Sequence, residues 1–441
     1  MKKRKEPTTV SDVKKLLSTS QNGLVKNTLE NCVIALKYDP TLKGAISKNA
    51  FTERTDIIKD LGWKRTASVL TDMDVNYIRL HLESTYGLSG ERNIERGINI
   101  IANENQQHPI RDLLKELNWD GESRIRYALS HFLGADDSDY TYEVMKIFLL
   151  GAINRVYSPG CKFELMPCLV GGQGAGKSTF FRLLAIKDEW FTDDIRKLDD
   201  ENVYRRLQGH WIIEMSEMMA TANAKSIEEI KSFLSRQKDT YKVPYETHPA
   251  DRLRQCVFCG TTNRQEFLPR DRSGNRRMLP ILINPDKAER HILDDEAYSR
   301  NYMKQLWAEA MEIYRSGDYT LKFSKDMENT LKILQQNFMP EDTWAGMIHS
   351  YLEEKDPQKV CSKQLYKEAL QLMGEPKMWE LQSICDIMNS GIADGTLSTW
   401  QPLRNPQRFG EYGTQRGWER TDEYVMSELK EVFLEEEELP F

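Results

Sequence analysis

The sequence predicts an α/β protein whose core is a doubly wound parallel sheet, with a mainly helical domain before it and a winged-helix-like domain after it. Three observations predict this organisation. A glycine-rich turn, 171–178, stands between an apolar run and a helical pattern. Apolar strand candidates alternate with helical patterns from about residue 108 to about residue 286, which is typical of α/β cores. After about Pro340, three short helical patterns are followed by two strand patterns.

The length of the chain, 441 residues, exceeds what one hydrophobic core usually fills, so two or three domains are expected. We predict boundaries at 1–107, 108–335 and 340–441. Apolar residues make up 39% and charged residues 29% of the chain, which is typical of globular rather than disordered proteins. No stretch approaches the roughly 18 uninterrupted apolar residues of a membrane span. The sequence therefore predicts a soluble, cytoplasmic protein without a membrane partner.

Cysteine usage and net charge exclude some functions. The seven cysteines are scattered and odd in number, which fits a reducing compartment. Cys256 and Cys259 form a C-x-x-C on a predicted strand, where residues three apart point to opposite faces. We therefore expect buried thiols and no shared metal. The net charge of −7 argues against a uniformly basic coat for nucleic acid, although a local basic groove stays compatible with it.

The first domain, 1–107, is predicted to be mostly helical. In its clearest helix, apolar residues recur at helical spacing from Val75 through Ile78 and Leu82 to Tyr86, and we expect that face to be core. Asp72 is a candidate cap before this helix, and Gly87 is a candidate stop after it.

The second domain, 108–335, is predicted to hold the parallel sheet. Its strand candidates are the apolar runs 164–170, 209–215, 255–261 and 277–283. One predicted helix opens at Lys177, another covers 227–235, and helical segments follow residue 286.

The third domain, 340–441, shows a winged-helix pattern. Helices are predicted over 341–353, 362–372 and 379–390, followed by strands over 397–401 and 414–418. The chain nearly ends in an acidic tail, 435–438. The ribbon region carries four arginines that fit either a DNA backbone or a protein contact: Arg404, Arg408, Arg416 and Arg420.

The turn 171–178 reads G-x-x-x-x-G-K-S. Glycines let the backbone wrap an anion, and the N–H groups of the following helix's first turn point into the wrap. Lys177 is predicted to reach the β- and γ-phosphates, and the Ser178 hydroxyl to ligate Mg²⁺. The predicted nucleotide-binding residues are Gly171, Gly172, Gln173, Gly174, Ala175, Gly176, Lys177, Ser178 and Thr179.

Polar residues that would turn a nucleotide site into a hydrolase follow two of the strand candidates. Glu214 and Glu217 stand at the end of the stretch 210–217, where a metal ligand and a water-activating base are needed. We favour Glu214 for the metal and Glu217 for the water, and the reverse assignment stays open. Asn263 ends the next strand, where it could orient the attacking water.

Arg276 and Arg277 stand beside a predicted turn, and one of them is the candidate arginine finger. Such a finger contributes roughly 10³ to 10⁵ in rate, or about 4 to 7 kcal/mol. If a neighbouring subunit supplies the finger, activity requires a ring.

The segment 231–245 is basic with interspersed aromatic residues, as DNA-gripping segments are. A turn near 247–249 and the return of the chain predict a hairpin that projects toward DNA. The candidate DNA-binding residues are Lys238, Lys242, Tyr245, His248, Arg252 and Arg254.

Several motifs together resemble the virulence-associated protein E family of phages and phage-like islands. In chain order they are 119–121, 159–162, the turn 171–178, Glu214 to Glu217, 261–263 and 274–277. Members of that family are similar to superfamily 3 helicases, a branch of the AAA+ ATPases that form hexameric rings on DNA. The resemblance implies ATP and Mg²⁺ as cofactors, single-stranded and possibly duplex DNA as partners, and ATP-driven translocation in phage or island replication. In this chain the acidic pair is spaced Glu-x-x-Glu rather than adjacent, and the stretch before the core is short for a full primase domain.

Other functions stay open on the sequence alone. The main alternative is an ATP-dependent initiator or regulator that binds duplex DNA through the winged region and never unwinds it. A GTPase is weaker because the chain has no N-K-x-D motif for reading guanine. A small-molecule kinase would leave Asn263 and Arg276 unexplained.

Overall fold

The computed structural model describes residues 7–195, 203–215, 224–241, 250–268, 272–340 and 343–421. The chain forms two compact units, Met1–Pro340 and Glu341–Phe441. Both the predicted domain 1–107 and the predicted domain 108–335 lie inside the first of them. Within the described ranges, no helix is long and apolar enough to cross a membrane.

The amino-terminal part of the first unit combines helices with a small sheet that the sequence did not predict. Its elements are the helices α1 (Val10–Leu16), α2 (Leu29–Tyr38), α3 (Asp72–Tyr86) and α4 (Glu91–Glu104), and the strands β1 (Ile46–Asn49), β2 (Thr55–Ile57) and β3 (Gln106–Gln107). The sheet has the order β2–β1–β3.

Helix α3 shows how the sequence sets its own limits. Its cap is Thr71 rather than the expected Asp72, because the Thr71 hydroxyl accepts the N–H of Asp74 in a capping box. Gly87 ends the helix with φ +74°, a backbone conformation that favours glycine. The predicted apolar face is confirmed: Ile78, Leu82 and Tyr86 are buried.

The centre of the first unit is a five-stranded parallel sheet. Three helices, α5 (Pro109–Glu116), α6 (Ala128–Leu133) and α7 (Asp139–Tyr157), precede its first strand in the chain, and α8 (Lys177–Leu184) follows that strand. The remaining elements, in chain order after β4 (Met166–Val170), are β5 (Phe191–Thr192), α9 (Val203–Leu207), β6 (Ile212–Glu214), α10 (Ala224–Leu234), β7 (Lys238–Tyr241), β8 (Ala250–Leu253), β9 (Val257–Thr262), β10 (Met278–Leu282), α11 (Glu296–Ser316) and α12 (Lys325–Gln336).

The sheet has the order β10–β4–β9–β6–β5, and its described pairings are all parallel. The four strand candidates are confirmed as β4, β6, β9 and β10, while the two-residue edge strand β5 was not predicted. Successive residues of a strand pack on opposite faces, as Ile212 and Ile213 do in two separate hydrophobic clusters. Both faces are therefore covered, as expected of a parallel sheet.

The C-x-x-C residues show the same alternation. Cys259 belongs to the cluster on one face and Cys256 to the cluster on the other, and both thiols are buried. The prediction of buried thiols on opposite faces is confirmed.

Strands β7 and β8 form the predicted hairpin. They pair antiparallel, with Lys238 opposite Leu253 and Tyr241 opposite Ala250. The hairpin follows α10 and leads, through Arg254 and Gln255, directly into β9.

The second unit contains helices around a small antiparallel sheet. Its elements are α13 (Thr343–Lys355), β11 (Lys359–Cys361), α14 (Ser362–Gln364) with a π-helical continuation (Leu365–Ala369), α15 (Met378–Asp394), β12 (Trp400–Pro402), β13 (Gln407–Arg408), β14 (Thr414–Gln415) and β15 (Gly417–Arg420). The sheet has the order β11–β15–β12, and β13 pairs with β14 as a separate ribbon. Strand β11 was not predicted. Aliphatic and aromatic residues such as Ile348, Trp400 and Trp418 form the core of this unit.

Candidate active site

The glycine-rich turn joins the carboxyl end of β4 to the first turn of α8. All five residues of β4 are buried, so the turn starts from a fixed point. Gly174 and Gly176 have φ +80° and +79°, values that side chains other than hydrogen rarely allow. Gly171 is close to Ile283, since a Cβ on Gly171 would lie 2.5 Å from Ile283 Cγ1. The turn therefore leaves the N–H groups of the first helical turn free to meet an anion.

Lys177 is the first residue of α8 and is almost fully buried. Its Nζ donates to the carbonyl oxygens of Gly171 at 2.7 Å and Gly172 at 2.6 Å, and to Asn263 Oδ1 at 2.9 Å. Burial lowers the pKa of Lys177, while the charge of Glu214 opposes that shift. The ammonium thus lies between the turn and the end of β9, where it can reach a bound phosphate.

Glu214 ends β6 and is fully buried. Its Oε1 accepts hydrogen bonds from Ser178 Oγ at 2.8 Å and from the hydroxyl of Thr261. Its Oε2 is buried and has no hydrogen-bond partner among the described residues. Burial raises the pKa of Glu214, against the hydrogen bonds from Thr261 and Ser178, and the charge of Asp193 raises it further.

The donor set around Glu214 fits Mg²⁺. A buried carboxylate with one oxygen to spare stands beside a serine hydroxyl, and Mg²⁺ binds such oxygen ligands. Ser178 and Glu214 were both predicted as metal ligands, and the structure brings their side chains together. Glu217, the predicted water-activating residue, lies outside the described residues.

Asn263 follows β9, which lies between β4 and β6 in the sheet. This order explains why Asn263 is close to the turn after β4 and to the carboxylate after β6. Its side chain contacts Lys177, and the residue is exposed toward the same cleft.

The two candidate finger arginines lie at the other end of the sheet. They precede β10, whose Met278 pairs with Met166 of β4, so they are at the amino ends of the strands while the turn 171–178 is at the carboxyl ends. The five residues of β4 span roughly 17 Å at about 3.3 Å per residue. Neither guanidinium is therefore placed near the turn of its own chain.

Arg276 and Arg277 also differ from each other. Arg277 Nε donates to Glu164 Oε2 at 3.0 Å and to Ser235 Oγ at 3.1 Å. Burial acts to raise the pKa of Glu164, but the hydrogen bonds from Ser235 and Arg277 outweigh it and lower that pKa. The Arg276 side chain is 72% exposed and 3.8 Å from Glu164. Arg277 is thus held within the chain, and Arg276 is accessible to a neighbour.

The hairpin residues separate into exposed and internal ones. Lys238 is exposed and paired with Asp251, while Arg252 pairs with Glu53 of the loop between β1 and β2. Lys242, Tyr245 and His248 lie outside the described residues.

Arg254 requires a correction of the predicted DNA-binding set. It is buried, with Nε 2.7 Å from Asp239 Oδ2 and Nη2 2.9 Å from Asp239 Oδ1, and its guanidinium lies 4.4 Å from the centre of the Phe233 ring. A guanidinium enclosed in this way anchors the base of the hairpin and does not meet a DNA phosphate.

Sequence reasoning missed two residues of the cleft. The cleft has a volume of about 460 Å³, and besides the turn, Thr261, Thr262 and Asn263 it is lined by His291 and Leu293. His291 Nδ1 accepts the N–H of Leu293 at 3.3 Å, and Leu293 is 47% exposed. Only packing of the chain after β10 against the turn brings them here, so no local signal in the sequence marks them.

The fold and this site define an α/β protein with a glycine-rich turn at the carboxyl edge of a parallel sheet. The model of the virulence-associated protein E-like domain matches residues 114–340, which is more than half of the chain. The chain belongs to this family, and the resemblance predicted from the motifs is confirmed.

Among solved structures, the chain is similar to the C-terminal region of NrS-1. Two A-form apo structures of that region are each 12% identical, cover 86% of this chain and 96% of the other chain, and have TM-scores of 0.45 and 0.47. A further apo structure is 12% identical, covers 85% of this chain and 95% of the other, and has a TM-score of 0.43. No curated protein matches the chain.

Proposed function

We propose that this protein is an ATP-dependent DNA helicase of phage or phage-like island replication, built on a phosphate-loop AAA+ core and acting as a ring. One observation carries the proposal. At the carboxyl edge of three adjacent strands, two hydrogen-bonded pairs, Lys177 with Asn263 and Ser178 with Glu214, stand beside the amino terminus of α8. These are the groups that phosphoryl transfer requires in one place.

In this proposal the turn 171–176 and the first N–H groups of α8 bind the β- and γ-phosphates. Lys177 exchanges its two carbonyl partners for phosphate oxygens, which is favourable because a cation gains a charged acceptor in a desolvated site. Ser178 and Glu214 hold Mg²⁺, which when bound neutralises charge on the phosphate oxygens. Leu293 supplies an apolar contact at the mouth of the cleft, on which the nucleoside can lie.

The attacking water is oriented from the β9 side. Asn263 Oδ1 accepts a hydrogen bond from Lys177, and in this proposal the amide nitrogen of Asn263 holds the water. We assign Glu214 to the metal, because Ser178 and Thr261 donate to it. Glu217 then serves as the base, as we favoured from the sequence.

Completion of the site requires a neighbouring protomer. Arg276 is exposed and distant from the turn of its own chain, whereas Arg277 is bonded to Glu164 and Ser235. We therefore assign Arg276 as the finger, donated across the interface of a ring, which we take to be a hexamer. In the ring, Lys238 contacts the single strand together with Lys242, Tyr245 and His248, which the sequence predicts to bind DNA.

A second candidate function is a DNA-binding initiator that hydrolyses ATP without unwinding. Three exposed arginines in the region 404–416 of the second unit favour it, since we assign that unit as a winged helix and duplex binding would suffice for an initiator.

Two assays with the full chain test the proposal. ATP hydrolysis is measured with and without single-stranded DNA, and strand displacement is measured on a forked duplex. Wild type is expected to be stimulated by DNA and to displace strands, and Lys177→Ala to lose both activities. Lys187→Ala, an exposed lysine just after α8, is the control and should behave as wild type. Turnover retained by Lys177→Ala refutes the site, and DNA-stimulated hydrolysis without displacement selects the initiator.

A further inference from the structure

The second unit carries a ribbon that we call the wing, residues 404–416. It contains β13 and β14, which pair through Gln407 with Gln415 and through Arg408 with Thr414, and a 3-10 turn, Gly410–Tyr412. No residue of the wing is buried. It connects β12 to β15 of the unit's sheet, so it extends from a fixed base.

Positive charge in this unit is sorted into two groups. The first group is neutralised internally: Lys363 and Lys367 are 3.6 and 3.9 Å from Glu375, and Arg420 pairs with Asp356. The second group includes Arg404, Arg408 and Arg416, whose side chains are exposed and make no ion pair or hydrogen bond within the described residues 343–421. Glu411 is the one acid between them in the sequence. The wing therefore presents three uncompensated guanidiniums.

The surroundings of these arginines distinguish a nucleic acid from a protein partner. Protein interfaces are anchored by large apolar or aromatic side chains at their centre. The described residues 400–421 expose no large apolar side chain. Exposed guanidiniums without such anchors fit a phosphate backbone, which is bound mainly by charge.

Helix α15 shows the opposite character. It contains no lysine or arginine and carries Glu380, Asp386 and Asp394, while Met378 and Trp379 at its start are exposed. A helix inserted into the major groove lies between two phosphate strands, and the carboxylates of Glu380 and Asp386 would be repelled there. This helix is therefore unsuited to reading bases.

We propose that the wing binds the phosphate backbone of duplex DNA through Arg404, Arg408 and Arg416, without base readout by helix α15. Binding at the wing is then independent of sequence. The inference does not require ATP hydrolysis or unwinding by the first unit, so either proposal can fail alone.

The test compares two full-length variants that each lose two positive charges. Arg404→Gln/Arg408→Gln removes wing arginines, and Lys363→Gln/Lys367→Gln removes cations that are already paired. Fluorescence anisotropy measures binding to a duplex of about 30 base pairs at several salt concentrations. Circular dichroism checks that both variants are folded.

Each phosphate contact contributes about 0.9 to the slope of log affinity against log salt. The salt slope of the wing variant should be smaller than that of wild type by about 1.8. Between 50 and 200 mM salt, the decrease in duplex affinity should therefore be about 12-fold smaller for the wing variant than for wild type. It should also bind more weakly at low salt, equally for unrelated duplex sequences. The paired-lysine variant should match wild type, and DNA-stimulated ATP hydrolysis should be unchanged in both.

Three results would overturn the inference. One is an unchanged salt slope in the wing variant, and another is an equal loss in the lysine variant. The third result concerns the acidic segment 422–441 as the rival occupant of the wing. In that result, a peptide of this sequence binds wild type but not the wing variant, while both proteins bind the duplex equally. The wing would then be a site for an acidic segment and not for DNA.

Discussion

The proposed donation of Arg276 across a protomer interface leads to a complementation prediction. Lys177→Ala disables the turn but keeps the arginine, and Arg276→Ala disables the arginine but keeps the turn. Each variant alone should be nearly inactive. A mixture of the two should hydrolyse ATP, because some interfaces then combine an intact turn from one chain with an intact arginine from the next.

The magnitude follows from geometry and statistics. Arg276 lies at the amino ends of strands whose carboxyl ends carry the turn, at least roughly 17 Å away along β4. Loss of a finger should lower kcat by about 10³ to 10⁵, or about 4 to 7 kcal/mol. In an equal mixture that assembles at random, about a quarter of the interfaces are intact. The mixture should therefore recover up to about a quarter of the wild-type rate.

The assay is steady-state ATP hydrolysis with single-stranded DNA in excess, after the two variants are mixed and allowed to reassemble. Arg276→Lys is the matched control, because it keeps a cation without the planar fork of guanidinium donors, and it should restore little of the rate. A mixture no more active than its components, together with wild-type monomers that hydrolyse ATP at full rate when diluted, would refute donation across an interface.

The remaining predictions concern the buried charges. Glu214→Gln should abolish hydrolysis. Without Mg²⁺ it should leave the free energy of unfolding at neutral pH equal or higher, because the pKa of Glu214 is raised and its ionised form therefore opposes folding as the pH rises through that pKa. A lower melting temperature at pH 7 would contradict this. In wild type, Mg²⁺-dependent ATP binding should weaken as the pH falls toward that pKa, and calorimetry of Glu214→Gln should show no such dependence. Asp239→Asn should reduce the free energy of unfolding, measured by urea denaturation, by about 3 to 5 kcal/mol, because it leaves Arg254 as a buried unpaired charge. The control Glu104→Gln breaks an exposed pair with Lys37 and should reduce that free energy by under about 1 kcal/mol.

Features that depend on a short, contiguous stretch of sequence could be predicted, and features that depend on tertiary packing could not. The turn 171–178 is a contiguous motif between two elements, so its glycines, Lys177 and Ser178 could be identified directly. The strand β5 has two residues at a sheet edge, too few for a periodic pattern. His291 and Leu293 reach the cleft through packing of a later loop, which no spacing in the chain reveals.

The hairpin illustrates the other limit. Its composition indicated DNA contact for every cation, yet Arg254 is enclosed by Asp239 and Phe233. The choice between an exposed and a buried guanidinium depends on which acid the fold places opposite it. The partner of Glu214 is likewise set by the fold. Its hydrogen bond with Ser178 depends on the order of strands in the sheet, which the order of residues in the chain does not reveal.

The strand order also connects the proposed nucleotide site with the hairpin that we propose to bind DNA. Strand β9 carries Asn263 at its carboxyl end, and its amino end follows the hairpin base that Arg254 anchors. Arg276 lies at the amino edge of the same sheet. If the proposed ring joins the amino edge of one protomer to the carboxyl edge of the next, the arginine that completes one site would belong to the protomer edge that holds a hairpin. A movement of groups around the bound phosphate would then be transmitted to two hairpins. One route runs through β9 within the protomer, and the other runs through Arg276 of the neighbouring protomer. Stepwise hydrolysis could move a DNA strand along the ring in this way.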